Sequence, residues 1–293
     1  MMNDVKNVNE LSHPYATLEE FGVIEHKFLK NLWKVVSKIL IVLAIIMLYL
    51  PIIVIAIQSF NASDSTTEFT GFTLNNYATM FAKRSLNDSI VNTLKTSLIA
   101  TAVATVVGTF IGIGAHYLSP KMKSHLMFLN NIPLLNADIV TGVSLMLIFS
   151  LFLPINKHIF GFWTILIAHI YFILPYIILS VIPKMKEIDP NMLDAALDLG
   201  IRPVKALRKV IIPAIKGGIF SGMILAFTIS FEDFVVGYFT TGNGYNTLSI
   251  WIYSSIGKKS LNPAVYAFST LVTFIMIASI VLYNFIRRKK EDE

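Results

Sequence analysis

The sequence predicts an all-α, polytopic membrane protein with six transmembrane helices. Of its 293 residues, 55% are hydrophobic and only 14% are charged, a balance far outside that of soluble domains. Long apolar stretches recur at the length of about 20 residues that a bilayer core requires. Lysine and arginine are concentrated in alternate connecting segments, as expected for loops that share one side of a membrane.

Six apolar stretches have the length of a membrane span. The first follows a polar segment of mixed charge, 1–38, and no charged residue occurs between Lys38 and Asp64. In the second, Gly108 and Gly112 have the spacing that allows close packing of two helices. The membrane domain is predicted at 39–286, before a basic tail at 287–293, with spans at 39–60, 96–118, 133–153, 161–182, 214–236 and 264–286.

The basic residues predict the orientation of these spans. Six spans put both termini on one side, and that side carries most of the 24 Lys and Arg residues. Because basic loops stay in the cytoplasm, we expect cytoplasmic termini and a cytoplasmic position for residues 189–213. The net charge of +6 is explained by this topology, and no compact basic face that would bind nucleic acid is expected.

Residues 189–213 interrupt the apolar chain with the signals of two short helices. Asp189 can cap the first helix, and Gly200 suits the left-handed position just past its end. A second helix can begin at Pro203 and continue toward Pro213. The segment therefore predicts a thin helix–turn–helix at the end of a membrane bundle, a shape that suits insertion into a groove on a partner protein.

This segment also resembles the coupling loop, or EAA loop, of ABC-importer permeases. The resemblance is carried by Asp194, Ala195, Ala196, Gly200 and Pro213, with Asp where that family usually has Glu. It implies the MetI-like fold of binding-protein-dependent permeases in a bacterial cytoplasmic (inner) membrane. It also implies docking on an ATPase subunit present in two copies, beside a second homologous permease and an external binding protein.

Three acidic residues fall inside the predicted spans, although a charge at the bilayer centre costs about 2.5–3.5 kcal/mol on insertion scales. Asp138 lies five residues into the third span, on its cytoplasmic half, and Glu232 and Asp233 lie late in the fifth, toward the external mouth. Each can instead be a solvated helix end, and Asp138 can pair across a subunit interface. As a cavity lining, they suit an elongated organic cation.

Aromatic residues could complete such a cavity, because ring faces attract ammonium groups and contact methylenes. In membrane helices, aromatic residues more often serve packing or form an interfacial belt. The candidates for the substrate path are Tyr171, Tyr176, Tyr238 and Trp251.

The segments around the acids resemble the permeases of spermidine/putrescine importers. The resemblance is carried by residues 92–94, 138–145, 225–235 and 248–254, and it covers nearly the whole chain from the first span to the sixth. It implies polyamine import by alternating access and a binding protein specific for polyamines. Members of that family often have Pro before the first acid and an Asp pair where this chain has Glu232 and Asp233.

An enzymatic function is not expected, and neither is a cofactor or a metal site. Residues 257–260 resemble the end of a phosphate-binding loop, but Ile252 occupies the position of its leading glycine. The six histidines lack the spacing of metal ligands. Two alternatives remain open: a permease for another small solute, with anions disfavoured by the acids, and a channel or scaffold that needs no ATPase.

Overall fold

The computed structural model describes residues 27–63, 68–156, 158–189, 191–242, 244–256 and 263–291. Within these ranges the chain is helical apart from its connections and one antiparallel bridge between Asn61 and Phe72. The predicted all-α class is confirmed. The chain divides into two compact units, 1–58 and 59–293. The predicted cytoplasmic segment lies, up to residue 26, outside the described residues.

The first unit contains helix α1, and the second contains the others. Helix α8 includes one π-helical stretch at Leu207–Ile211. The helices are α1 (Lys27–Gln58), α2 (Asn75–Met80), α3 (Arg84–Tyr117), α4 (Pro120–Leu135), α5 (Asp138–Ser150), α6 (Phe162–Lys186), α7 (Met192–Asp198), α8 (Pro203–Ala214), α9 (Lys216–Glu232), α10 (Val235–Thr240), α11 (Leu248–Ile256) and α12 (Pro263–Glu291).

Three of the described helices, α1, α3 and α6, are each long and apolar enough to cross a membrane. They correspond to the first, second and fourth predicted spans. Two further pairs qualify only as bent units, α4 with α5 at 104° and α8 with α9 at 71°. By length and composition, the described residues therefore contain three candidate spans, or up to five if each bent pair counts as one, and the number six stays a prediction. Helix α12 continues through the predicted start of the tail to Glu291.

The predicted third span is not one helix. Pro133 lies inside α4 rather than at the start of a span. Ala137 is extended, with φ −63° and ψ 139°, and α5 begins at Asp138. Asp138 is therefore the first residue of a helix and not five residues into one. Hydropathy could not reveal this break, because apolar residues continue on both sides of it.

Helix α6 is central to the second unit, and small residues bring its neighbours close. Its Ile177 and Val181 are fully buried. A Cβ atom built on Gly112 of α3 would lie 2.7 Å from Cγ1 of Val181, and one on Gly108 would lie 2.8 Å from Cβ of Ile177. One on Gly222 of α9 would lie 3.1 Å from Cα of Ile177. The close packing expected from the glycine spacing in α3 is present, and α9 uses the same device.

Candidate functional site

Two helix breaks meet at a cavity of about 470 Å³. One is the start of α5, and the other is the turn between α9 and α10, where Asp233 is extended with φ −59° and ψ 132°. Helix α6 contributes aromatic side chains to the wall. The lining residues are Asp138, Phe172, Tyr176, Ile229, Glu232, Asp233, Phe234 and Val235.

The structure brings four of the predicted path residues together, namely Asp138, Tyr176, Glu232 and Asp233. The sequence predicts one cavity with Asp138 deeper and Glu232 or Asp233 toward its external mouth. All three acids line one cavity, and their relative depth stays a prediction. Each acid stands at a helix end created by a break, and not within a continuous span. Phe172 and Phe234 also line the cavity and were missed, since an apolar aromatic residue in a membrane helix carries no distinguishing signal.

The other three predicted path residues are not among the lining residues. Trp251 is only 7% exposed and packs in an apolar cluster of the second unit. Its Nε1–H group donates to Oγ of Ser85 over 3.1 Å. Tyr171 is half exposed on α6. Tyr238 lies behind a residue of the cavity wall: its ring centroid is 5.4 Å from that of Phe234, and Phe234 lines the cavity.

The three carboxylates differ in what they contact. Asp138 and Glu232 are exposed, and neither forms an ion pair with a described basic side chain. The side chain of Asp233 is only 6% exposed. Its Oδ1 accepts from the N–H of Val236 at 3.2 Å, and its Oδ2 accepts from the N–H of Gly237 at 2.7 Å. Asp233 thus caps the first turn of α10, whereas the other two carboxylates face the cavity.

Behind the wall, α6 and α9 are joined by a buried polar contact. Nδ1 of His169 lies 2.8 Å from Oγ of Ser230, and Nε2 of His169 lies 3.4 Å from Oδ2 of Asp233. His169 is 2% exposed. No role was predicted for His169, although a histidine in a charge-free span is itself an unusual residue that needs a partner.

The segment after α10 is tied to α3. The Tyr245 hydroxyl lies 2.9 Å from Oγ1 of Thr96 and donates to the carbonyl of Asn92 at 3.2 Å. Nδ2 of Asn92 donates to the carbonyl of Asn246 at 3.0 Å. Burial raises the pKa of the Tyr245 phenol, although its bond with Thr96 acts in the opposite sense. The phenol therefore stays protonated at neutral pH and keeps this link.

The coupling segment forms the predicted helix–turn–helix, but Asp189 does not cap the first helix. That helix begins at Met192, and Oδ1 of Asp189 accepts from the N–H of Asn191, which precedes it. Gly200 has φ +76°, the left-handed conformation that favours glycine. Its N–H donates to the carbonyl of Leu197 at 2.8 Å, and the N–H of Ile201 donates to that of Ala196 at 3.2 Å. These two bonds define a Schellman motif. The second helix begins at Pro203, as expected.

The residues that carry the family resemblance in this segment lie on two faces. Asp194 and Ala195 are exposed, whereas Ala196 is buried. Pro213 is exposed just before the 71° bend between α8 and α9. One face of α7 thus packs on the bundle, and the other is available to a partner.

Two large apolar side chains stand exposed at the turn of the same segment. Leu199 is 81% exposed and Val204 is 79% exposed. Neither residue was among those predicted to form the docking surface. The sequence does contain a signal for them, because apolar residues in an otherwise charged, water-exposed segment indicate an interaction surface.

Comparison with known proteins gives a consistent picture. Residues 108–291 match the family described as "Binding-protein-dependent transport system inner membrane component". The chain is 34% identical over 242 residues to the spermidine/putrescine transport system permease protein PotC of Haemophilus influenzae, covering 83% of this chain and 92% of that protein. It is 28% identical over 250 residues to the putrescine transport system permease protein PotI of Escherichia coli K12, covering 82% and 85%.

Among solved structures, the fold is similar to a chain of a bacterial ABC transporter involved in the import of the acidic polysaccharide alginate. The TM-score is 0.62 at 13% identity, over 90% of this chain and 98% of that one. At this identity, the likeness concerns the fold alone.

Proposed function

This chain belongs to the family of binding-protein-dependent transport system inner membrane components, and we propose that it is the permease subunit of an ABC importer for polyamines such as spermidine and putrescine. The chain provides a path through the membrane. ATP hydrolysis is assigned to a partner, since no phosphate-binding loop occurs in the sequence.

The observation that carries the substrate proposal is the cavity with aromatic walls and two carboxylates that have no ion-pair partner among the described residues. Asp138 and Glu232 offer oxygens to ammonium groups through charge-assisted hydrogen bonds. Phe172, Tyr176 and Phe234 offer ring faces to ammonium groups and contact area to methylenes. A linear polyamine has both kinds of group in alternation. The relatives named for spermidine and putrescine support the same class of substrate.

The cavity argues against an anionic substrate. An anion would lie beside two carboxylates that have no described basic partner, and like charges at short range repel one another. The likeness to the subunit of an alginate importer does not oppose this argument, because it extends to the fold alone.

For energy coupling, we propose that residues 189–213 dock on the ATPase. The exposed Leu199 and Val204 would enter an apolar groove, and Asp194 would meet a basic or polar rim. The assembly would contain two ATPase copies, a second homologous permease and an external polyamine-binding protein. Closure of the ATPases would move α7 and α8 and tilt the bundle to open the cavity outward, and hydrolysis would reverse the motion.

The same proposal sets the orientation in the inner membrane. Most Lys and Arg residues lie on the side of the two termini and of residues 189–213. Since basic loops remain in the cytoplasm, both termini are assigned there, within reach of the ATPase.

The test is uptake of labelled spermidine by cells that lack polyamine importers and express this chain with its partners. We expect energy-dependent uptake of spermidine. Unlabelled putrescine should inhibit this uptake, and a dicarboxylate of similar length should not. If the complex assembles and hydrolyses ATP but takes up no polyamine, the proposed substrate is wrong and the proposed permease function stands. Conductance without nucleotide would instead indicate a channel.

A further inference from the structure

We propose that His169 is a positioning residue for the cavity: through Asp233 it fixes α10, and through α10 it sets the separation between the carboxylates of Asp138 and Glu232. The polyamine part of this inference rests on the proposed function. The positioning part concerns the geometry of the cavity and can be measured without a substrate.

Both ring nitrogens of His169 lie near polar groups. Nδ1 lies 2.8 Å from Oγ of Ser230. Nε2 lies 3.4 Å from Oδ2 of Asp233 but forms no hydrogen bond with a described residue. The contact with Asp233 is therefore the close approach of two buried polar groups and not a formed hydrogen bond.

Asp233 transmits this contact to the backbone of α10. Its two oxygens accept from the N–H groups of Val236 and Gly237. A Cβ atom on Gly237 would lie 3.1 Å from Oδ2 of Asp233 and 3.7 Å from Nε2 of His169. The imidazole, the carboxylate and the first turn of α10 thus form one closely packed group, and Asp233 is occupied by it rather than by a substrate.

Helix α10 in turn packs tightly on α5. A Cβ atom on Gly142 would lie 3.0 Å from Cδ2 of Phe239 and 3.4 Å from the carbonyl oxygen of Val235. Because packed interiors transmit displacements rather than absorb them, a shift of α10 moves α5 and its first residue, Asp138. Glu232 directly precedes Asp233 in the chain. Both cavity carboxylates are therefore attached to elements that the His169 contact holds.

The aromatic wall depends on the same histidine. The rings of His169 and Phe172 meet edge to face at 5.6 Å, and Phe172 lines the cavity. His169 thus lies directly behind the wall, at 2% exposure, without contacting the space that a substrate would occupy.

The consequence concerns selectivity between polyamines of different length. The carboxylate separation determines which spacing of ammonium groups fits, so a change in it alters the KM values for spermidine and putrescine by different factors. A purely structural defect reduces the amount of working transporter and lowers the maximal rate for both substrates equally.

The matched variants are His169→Asn and His169→Gln. Gln can place an amide N–H near the position of Nε2, toward Asp233, whereas Asn reaches only the position of Nδ1, toward Ser230. We expect His169→Asn to change the ratio of the two KM values about fivefold or more, and His169→Gln to keep it within about twofold. Equal ratios in the wild type and both variants, with only the maximal rates altered, would overturn the proposal.

A second measurement needs no substrate. The chain contains no cysteine, so Asp138→Cys introduces a single thiol at the cavity. Its rate of labelling by a cationic thiol reagent, in the assembled complex, should change several-fold with His169→Asn and little with His169→Gln. Equal rates in all three backgrounds would refute the positioning role. If the wild type imports no polyamine, only the substrate proposal fails. The labelling rates still test the positioning role of His169.

Discussion

Replacing Gly200 with valine should uncouple transport, whereas replacing it with asparagine should be tolerated. Gly200 ends α7 with φ +76°, and its own N–H and that of Ile201 close the turn. Among residues other than glycine, asparagine is enriched in this left-handed region, and β-branched residues are genuine outliers there. Both replacements enlarge the side chain, so they separate backbone conformation from size.

The magnitude follows from the surroundings of Gly200. A Cβ atom built there meets no heavy atom within 4 Å, so the permease itself imposes only the backbone cost. That cost is about 1–2 kcal/mol for an ordinary L residue in the left-handed conformation. Because about 1.4 kcal/mol corresponds to a factor of ten in population, valine should reduce the docking-competent turn about tenfold.

The assay measures three quantities for each variant: the permease in the membrane, the ATPase that co-purifies with it and the rate of uptake. Gly200→Val should insert normally but lose ATPase and uptake together, and Gly200→Asn should keep both. Equal loss in the two variants would show that the side-chain size at the turn matters and its conformation does not. Full coupling in Gly200→Val would refute the assignment of this turn to docking.

Three further predictions test the packing, the docking surface and the position of the tryptophan. Gly112→Val should destabilise the complex by about 1–3 kcal/mol, because its Cβ atom would lie 2.7 Å from a side chain of α6. The control is Gly114→Val, because a Cβ atom there meets nothing within 4 Å. Equal thermal unfolding midpoints for the two variants would contradict the close packing. Leu199→Gln should change folding stability by no more than about 0.5 kcal/mol and still reduce co-purifying ATPase; unchanged recovery would exclude Leu199 from the interface. Trp251→Phe removes a hydrogen bond and should cost about 1 kcal/mol of stability with no change in the KM for uptake. A raised KM would show that Trp251 belongs to the substrate path.

Sequence alone located the residues whose chemistry conflicts with their surroundings. Acids within apolar stretches pointed to Asp138 and Glu232, which share one cavity. Glycines pointed to two backbone features, the left-handed turn at Gly200 and the close approach at Gly112. In each case, a residue type has few physical reasons to occur at that position, so its presence is informative.

Other features of the site depend on tertiary contacts that periodicity does not record. The 104° bend before Asp138 falls within a stretch that is apolar on both sides. Trp251 and Phe234 are both apolar aromatic residues in the sequence, but only Phe234 lines the cavity. The capping role of Asp233 had a local signal, since an acid before a short apolar helix is a common N-cap, but the continuous span predicted through it hid that helix start.

The measurement that tests the central claim most directly is the KM for spermidine uptake in Glu232→Gln and Asp138→Asn. Each removes one cavity carboxylate, and a lost charge-assisted contact of about 1.5–3 kcal/mol predicts a KM raised tenfold or more. Asp88→Asn, which neutralises an exposed acid outside the cavity, should keep the wild-type KM. If all three variants transport with the wild-type KM, the carboxylates do not bind the substrate, and the cavity is not its path.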